Sequence, residues 1–114
     1  MGAATYNITL ERNVDYKVSM YLKDFNRDPI DLTNQTVDAE IKQDYYFPTL
    51  ETFNIDITEP TSGLVELSLT AAQTAALHPG VLQYDIMVKD NDHGTIQRIL
   101  KGSVTVATNI TTLT

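Results

Sequence analysis

Asp24-Phe25-Asn26-Arg27-Asp28 sets oxygen-bearing side chains at alternate positions, the spacing that opens a calcium loop by converging oxygens on one cation. The rest of that loop fails. Pro29 stands where a glycine makes the sharp turn, and Gln35 where a bidentate Glu closes the shell, so the segment reads as a turn. Asp90, Asp92 and His93 could offer oxygen and nitrogen ligands, yet Asp-Asn-Asp-His-Gly is also hairpin chemistry, with Gly94 taking the positive φ. A Ser-His-acid site would need His78 or His93 to meet a serine. There is no Gly-x-Ser-x-Gly elbow, and both histidines fall in expected turns beside Pro79 or Gly94. An acidic surface pairs carboxylates by chance, and none sits in a glycosidase setting. No glycine-rich phosphate loop is present. The expectation is a chain with no catalytic residue, no cofactor and no metal site: not an enzyme.

Two features point to partners. Tyr45, Tyr46 and Phe47 are three adjacent aromatics in a connection, where alternation turns at least one outward. Outward aromatics are enriched in interface cores, although two of the three could instead cap the end of the domain. The stretch Thr108 to Thr114, with Ile110 and Leu113, is β-prone and lies beyond the final core strand. It either docks on a neighbouring subunit or frays.

The elements that must carry these residues are short runs of period-two alternation. Tyr6, Ile8 and Leu10 mark a first strand, and Tyr16, Val18, Met20 and Leu22 a second, after the Arg12-Asn13 break. Asp24 to Pro29 turns the chain, and Ile30-Asp31-Leu32-Thr33 follows as a short run. Val37, Ala39 and Ile41 face inward on a third strand, Phe53, Ile55 and Ile57 on a fourth, and Val65, Leu67 and Leu69 on a fifth. A turn at Thr58 to Gly63 separates the last two. Thr70-Ala71-Ala72-Gln73 has the capping-box form and opens a short helix over residues 70–77, stopped by Pro79-Gly80. Val81 to Lys89 and Thr95 to Val106 make one long antiparallel hairpin. The expected core joins Tyr84 and Ile86 with Val37, Ile41, Phe53, Ile55, Leu67, Leu100 and Val104.

At 114 residues the chain has room for one core and no second domain. A formal charge of -7 with only eight basic residues excludes phosphate-backbone binding as a main role, so no nucleic-acid partner is expected. Cysteine is absent, and stability must come from packing and backbone hydrogen bonds. No apolar run reaches the roughly 18 residues that cross a bilayer. Met1 to Tyr6 lacks the regions of a signal peptide, so the chain is expected to fold where it is made, and its Asn-x-Thr sequons at Asn7, Asn34 and Asn109 to escape glycosylation. Seven or so strands with one short helix between the fifth and sixth are the pattern of an all-β, two-sheet sandwich with Greek-key connections.

This order of features resembles the immunoglobulin-like structural modules of tailed-phage virion proteins, among them the N-terminal domain of the baseplate upper protein and small cyanophage virion proteins. The residues that carry the resemblance are Lys23-Asp24 with Pro29 to Thr33, Gly63 to Thr70 with Thr74, Gly80 with Tyr84-Asp85-Ile86, and Gly94 with Arg98, Leu100, Lys101-Gly102 and Val104. They span about residues 5–108. The chain stops at Thr114, short of a downstream region for reaching a receptor-binding protein, so that linking role is not implied. The resemblance implies an immunoglobulin-like sandwich over residues 6–108, with a flexible arm at 1–5 and a tail at 109–114. It implies a non-enzymatic subunit of a bacteriophage particle, made in the host cytoplasm and ending in the virion. A tail, baseplate or neck component, a trimer or ring contacting other virion proteins, comes first. A capsid decoration protein and a host-surface or carbohydrate-binding module are the alternatives.

Overall fold

The alternating runs become nine strands in a computed structural model that describes residues 4–24, 26–44 and 47–107. They are β1 (Ala4–Thr5), β2 (Ile8–Glu11), β3 (Tyr16–Tyr21), β4 (Gln35–Lys42), β5 (Thr49–Thr52), β6 (Asn54–Glu59), β7 (Leu64–Leu69), β8 (Gly80–Asp90) and β9 (Ile96–Ala107). One α-helix, α1 (Ala71–Ala75), lies between β7 and β8. The larger sheet has the order β1-β9-β8-β4-β5, with β2 also on β9, and the smaller the order β3-β7-β6. Apart from β1 and β2, which run parallel to β9, all pairings are antiparallel. This is an immunoglobulin-like β-sandwich. The variable-type plan fits it: β4, β8 and β9 stand as C, F and G with β5 as C′, opposite β3, β7 and β6 as B, E and D.

Each inner face contributes alternate residues to one core that includes Ile8, Leu10, Val37, Ile41, Leu67, Tyr84, Ile86 and Val104. Seven of the nine expected core positions are buried, while Ile55 and Leu100 are half-buried and pack against its border. Leu100 loses its place to a bulge. The β8–β9 ladder passes from Ile86↔Leu100 to Met87↔Arg98, stepping over Ile99, so two consecutive apolar residues share one inward position.

Four expectations about elements change. The first strand is two strands separated at Tyr6-Asn7; its phase starts at Ile8, and Tyr6 is exposed. Ala4 and Thr5, expected in a flexible arm, pair with Leu100 and Lys101. The fourth strand starts at Asn54 and is preceded by an unexpected one, β5; between them stands Phe53, whose buried ring meets Tyr84 edge-to-face at 5.8 Å and whose N–H donates to the Ala39 carbonyl at 2.9 Å. Pivoting there, β5 stays on β4 while β6 crosses to β7 in the opposite sheet. The helix covers 71–75 rather than 70–77, yet begins with the expected reciprocal Thr70–Gln73 capping box.

Candidate partner surface

Phe47 and Leu50 place exposed apolar surface on the β5 edge of the larger sheet. Phe47 is 49% and Leu50 39% exposed. The Phe47 N–H closes a turn onto the Asp44 carbonyl at 3.1 Å, and Pro48 follows before β5 begins. Leu50 is exposed because the β4–β5 register jumps from Ile41↔Glu51 to Lys42↔Thr49, leaving it as the bulged residue. Of the five residues expected at the interface, Tyr45, Tyr46, Ile110 and Leu113 lie outside the described residues; Phe47 alone can be placed.

Behind this edge the support is polar and fixed. The Thr49 hydroxyl donates to the Glu40 carboxylate. Glu51 accepts from the Gln73 side-chain amide at 3.0 Å, and the same amide donates to the Thr52 carbonyl at 3.3 Å. Gln73 Oε1 takes the Thr70 N–H and the Asn54 side-chain amide, each at 2.8 Å, so all four hydrogen-bonding positions of Gln73 are used.

Beside β5, the outer face of the larger sheet holds a cleft of about 250 Å³ lined by Glu40, Lys42, Asp44, Gln83, Tyr84, Asp85 and Met87. Glu40 and Asp85 stand directly opposite on neighbouring strands, an unfavourable like-charge pair, with Lys101 opposite Asp85 on its other side. The cleft is therefore mixed in charge, and its one aromatic among the described lining residues, Tyr84, is buried in the core rather than presented as a platform.

The residues that could have done chemistry are engaged in turns. Asp24 Oδ1 accepts the N–H groups of Asn26 and Asp28 at 2.9 and 3.1 Å. Asp90 accepts the Asp92 N–H at 2.9 Å and meets His93 Nδ1 at 3.0 Å; chiefly this His93 contact, then the Asp92 N–H, holds its carboxyl below the usual range. The Thr33 backbone N–H, then its side chain, lowers Asp31 in the same way. A second cleft, of about 400 Å³, lies between the Asp24 turn and the β8–β9 hairpin, with Asp24, Asp31 and Asp90 on its walls. His78 is exposed, and among the described residues neither histidine hydrogen-bonds a serine.

Sequence reasoning missed how the ends of the sandwich close. Arg12 Nη2 donates to the Ala75 carbonyl at 2.7 Å, the Ala71 N–H to Asp15 at 2.7 Å, and the buried Thr74 hydroxyl accepts the Val14 N–H at 3.2 Å. Together they bind α1 to the turn between β2 and β3. The Arg12-Asn13 break was the visible signal of that turn, but its partners lie about 60 residues away. The Tyr84 hydroxyl likewise donates to the Tyr6 carbonyl at 2.6 Å.

No family model matches the chain, and no curated protein matches it. Among solved structures it is similar to the NK cell receptor NKp44, a triggering partner in natural cytotoxicity, at 10% identity over 94% of this chain and 100% of the receptor chain, with a TM-score of 0.48. It is also similar to a family 123 glycoside hydrolase from Clostridium perfringens that hydrolyses glycolipid glycans, at 12% identity over 96% of this chain and 24% of the hydrolase, with a TM-score of 0.43.

Proposed function

We propose that this chain is a non-enzymatic structural subunit of a bacteriophage particle, a tail, baseplate or neck component held by protein–protein contacts. The particle is suggested by the resemblance of Lys23 to Thr33, Gly63 to Thr74 and Tyr84 to Val104 to immunoglobulin-like virion modules. The contact role rests on one observation: Phe47 stands exposed at the head of the β5 edge with Leu50 beside it, on a strand anchored from behind by Gln73. A small apolar patch on an acidic, otherwise soluble domain supplies contact energy when a partner arrives, while the charge of -7 restrains association before then.

The test is a particle carrying Tyr46→Ser with Phe47→Ser. The purified double variant should keep the wild-type circular dichroism spectrum and melting temperature but be missing from assembled particles. Normal incorporation would make the aromatic connection an end-cap.

A further inference from the structure

A sheet edge presents a row of unpaired N–H and C=O groups, and folded proteins blunt such edges with bulges, proline, charge or brevity. Among the described residues, three of the four edges of this sandwich are blunted in these ways. β5 is four residues long, follows Pro48 and is bulged at Leu50. β6 carries Asp56 and Glu59, is irregular after Ile57 and runs into Pro60. The β1/β2 edge is broken at Tyr6-Asn7 and ends in Glu11.

β3 is the least protected of the four. Its six pairs with β7 run without a register break, it contains no proline and no acid, and Lys17 is its one charge. In the constant-type ABED sheet the first strand covers this B edge. Here β1 and β2 both pair with β9 in the other sheet, so among the described residues no strand stands beside β3. The inward-facing Tyr16, Val18 and Met20 are accordingly only half-buried, and the outward Tyr21 is 56% exposed.

We propose that a second copy of this chain occupies that edge, β3 pairing antiparallel with β3 of the second copy across a two-fold axis, so that the smaller sheets become continuous. Such a contact needs a strand complementary to itself. Opposed residues share a face, so the axis must pass through a residue that meets its own copy. At Lys17 it would oppose two ammonium groups, and at Met20 it would set Lys17 against Lys23. At Val18 it would set Tyr21 against Asp15, beyond the end of the strand. At Ser19 the pattern closes: Val18 meets Met20 on the core face, and Lys17 meets the Tyr21 ring on the outer face, a cation–π pairing. Charge favours the same edge. Two copies each carrying -7 repel, and β3 brings no carboxylate of its own to the contact. The acids beside it are engaged, Asp15 with the Ala71 N–H at 2.7 Å and Glu66 with Lys17 at 3.8 Å.

The proposal goes beyond the assembly reading and does not rest on it: a two-fold contact closes a dimer, not the trimer or ring that the resemblance implies. It is tested on the isolated chain, so its failure leaves the Phe47 experiment standing, and the reverse. Sedimentation equilibrium of the wild type should show a mass approaching twice 12.7 kDa as concentration rises. Ser19→Lys should lose the dimer at an unchanged melting temperature, whereas Thr52→Lys on the β5 edge should keep it. Ser19→Cys, which introduces a sole thiol, should oxidise to a covalent dimer with a wild-type circular dichroism spectrum, because opposed antiparallel residues sit at roughly 4.5–5.5 Å, within disulfide reach. A wild type that stays monomeric at millimolar concentration, or a dimer that survives Ser19→Lys, overturns the proposal.

Discussion

Gly102 shows how one missing side chain fixes the course of the amino terminus. A Cβ added there would stand 2.0 Å from the Tyr6 carbonyl oxygen and 2.8 Å from its carbon, both backbone atoms that a rotamer change cannot move. Gly102→Ala should therefore lift the Tyr6 segment from β9 and cost about 1–3 kcal/mol, as overpacking does. Faster hydrogen exchange at the Tyr6 N–H, which donates to the Lys101 carbonyl at 2.9 Å, would check it alongside the melting temperature. Tyr84 meets the same carbonyl. Burial, helped by Tyr16 and Tyr6, pushes its phenol well above the usual value of 10.0. The unfolded chain then ionises at that usual value while the folded chain keeps its proton. Stability is complete below about pH 10 and falls as pH rises beyond it. Tyr84→Phe should cost about 0.5–1.5 kcal/mol near neutrality through the lost hydrogen bond and flatten the alkaline decline, as read by denaturation at several pH values.

At the scale of elements, α1 is too short to be stable on its own and is held by what it caps. Its capping box was legible because Thr70 and Gln73 are only three residues apart in sequence. The rest of the closure was not, since Arg12, Asp15 and Val14 approach from the β2–β3 turn. Thr74 is fully buried, and its hydroxyl serves the Val14 N–H and lies 3.0 Å from the carbonyls of Val14 and Ala71. Thr74→Val keeps the volume and removes the hydroxyl, so the Val14 N–H and carbonyl lose their part-buried partner. The expected cost is about 1–3 kcal/mol by urea denaturation, with Thr74→Ser recovering most of it.

For the molecule as a whole, stability follows from how completely the two sheets cover each other. Ile86 is fully buried at the centre of β8, and Ile86→Ala should cost about 2–5 kcal/mol. Leu100→Ala should cost clearly less, because the bulge at Ile99 leaves Leu100 half-buried. Equal shifts in melting temperature for the two variants would contradict this account of the bulge. The first and last strands lie side by side, so the pairing of Ile8 with Val104 joins residues at opposite ends of the chain. Folding should accordingly be slow for this size, in the millisecond-to-second range of all-β domains, which stopped-flow refolding would measure.

Local pattern by itself determined the all-β class, the turns after Asp24 and Asp90, a turn ending at Gly63 that starts at Pro60 rather than Thr58, the capped helix start and most of the core, because alternation and turn chemistry act between residues close in sequence. The left-handed Gly94 is one such case, with φ at 72° where the hairpin chemistry required it. Tertiary structure alone decided which sheet each strand joins. The change of sheet at Phe53 and the bulge at Ile99 follow from how two sheets share a core, and the parallel docking of β1 and β2 follows from the notch at Gly102. That docking also decided which edge is left without a neighbour among the described residues, since a strand cannot cover β3 and β9 at once.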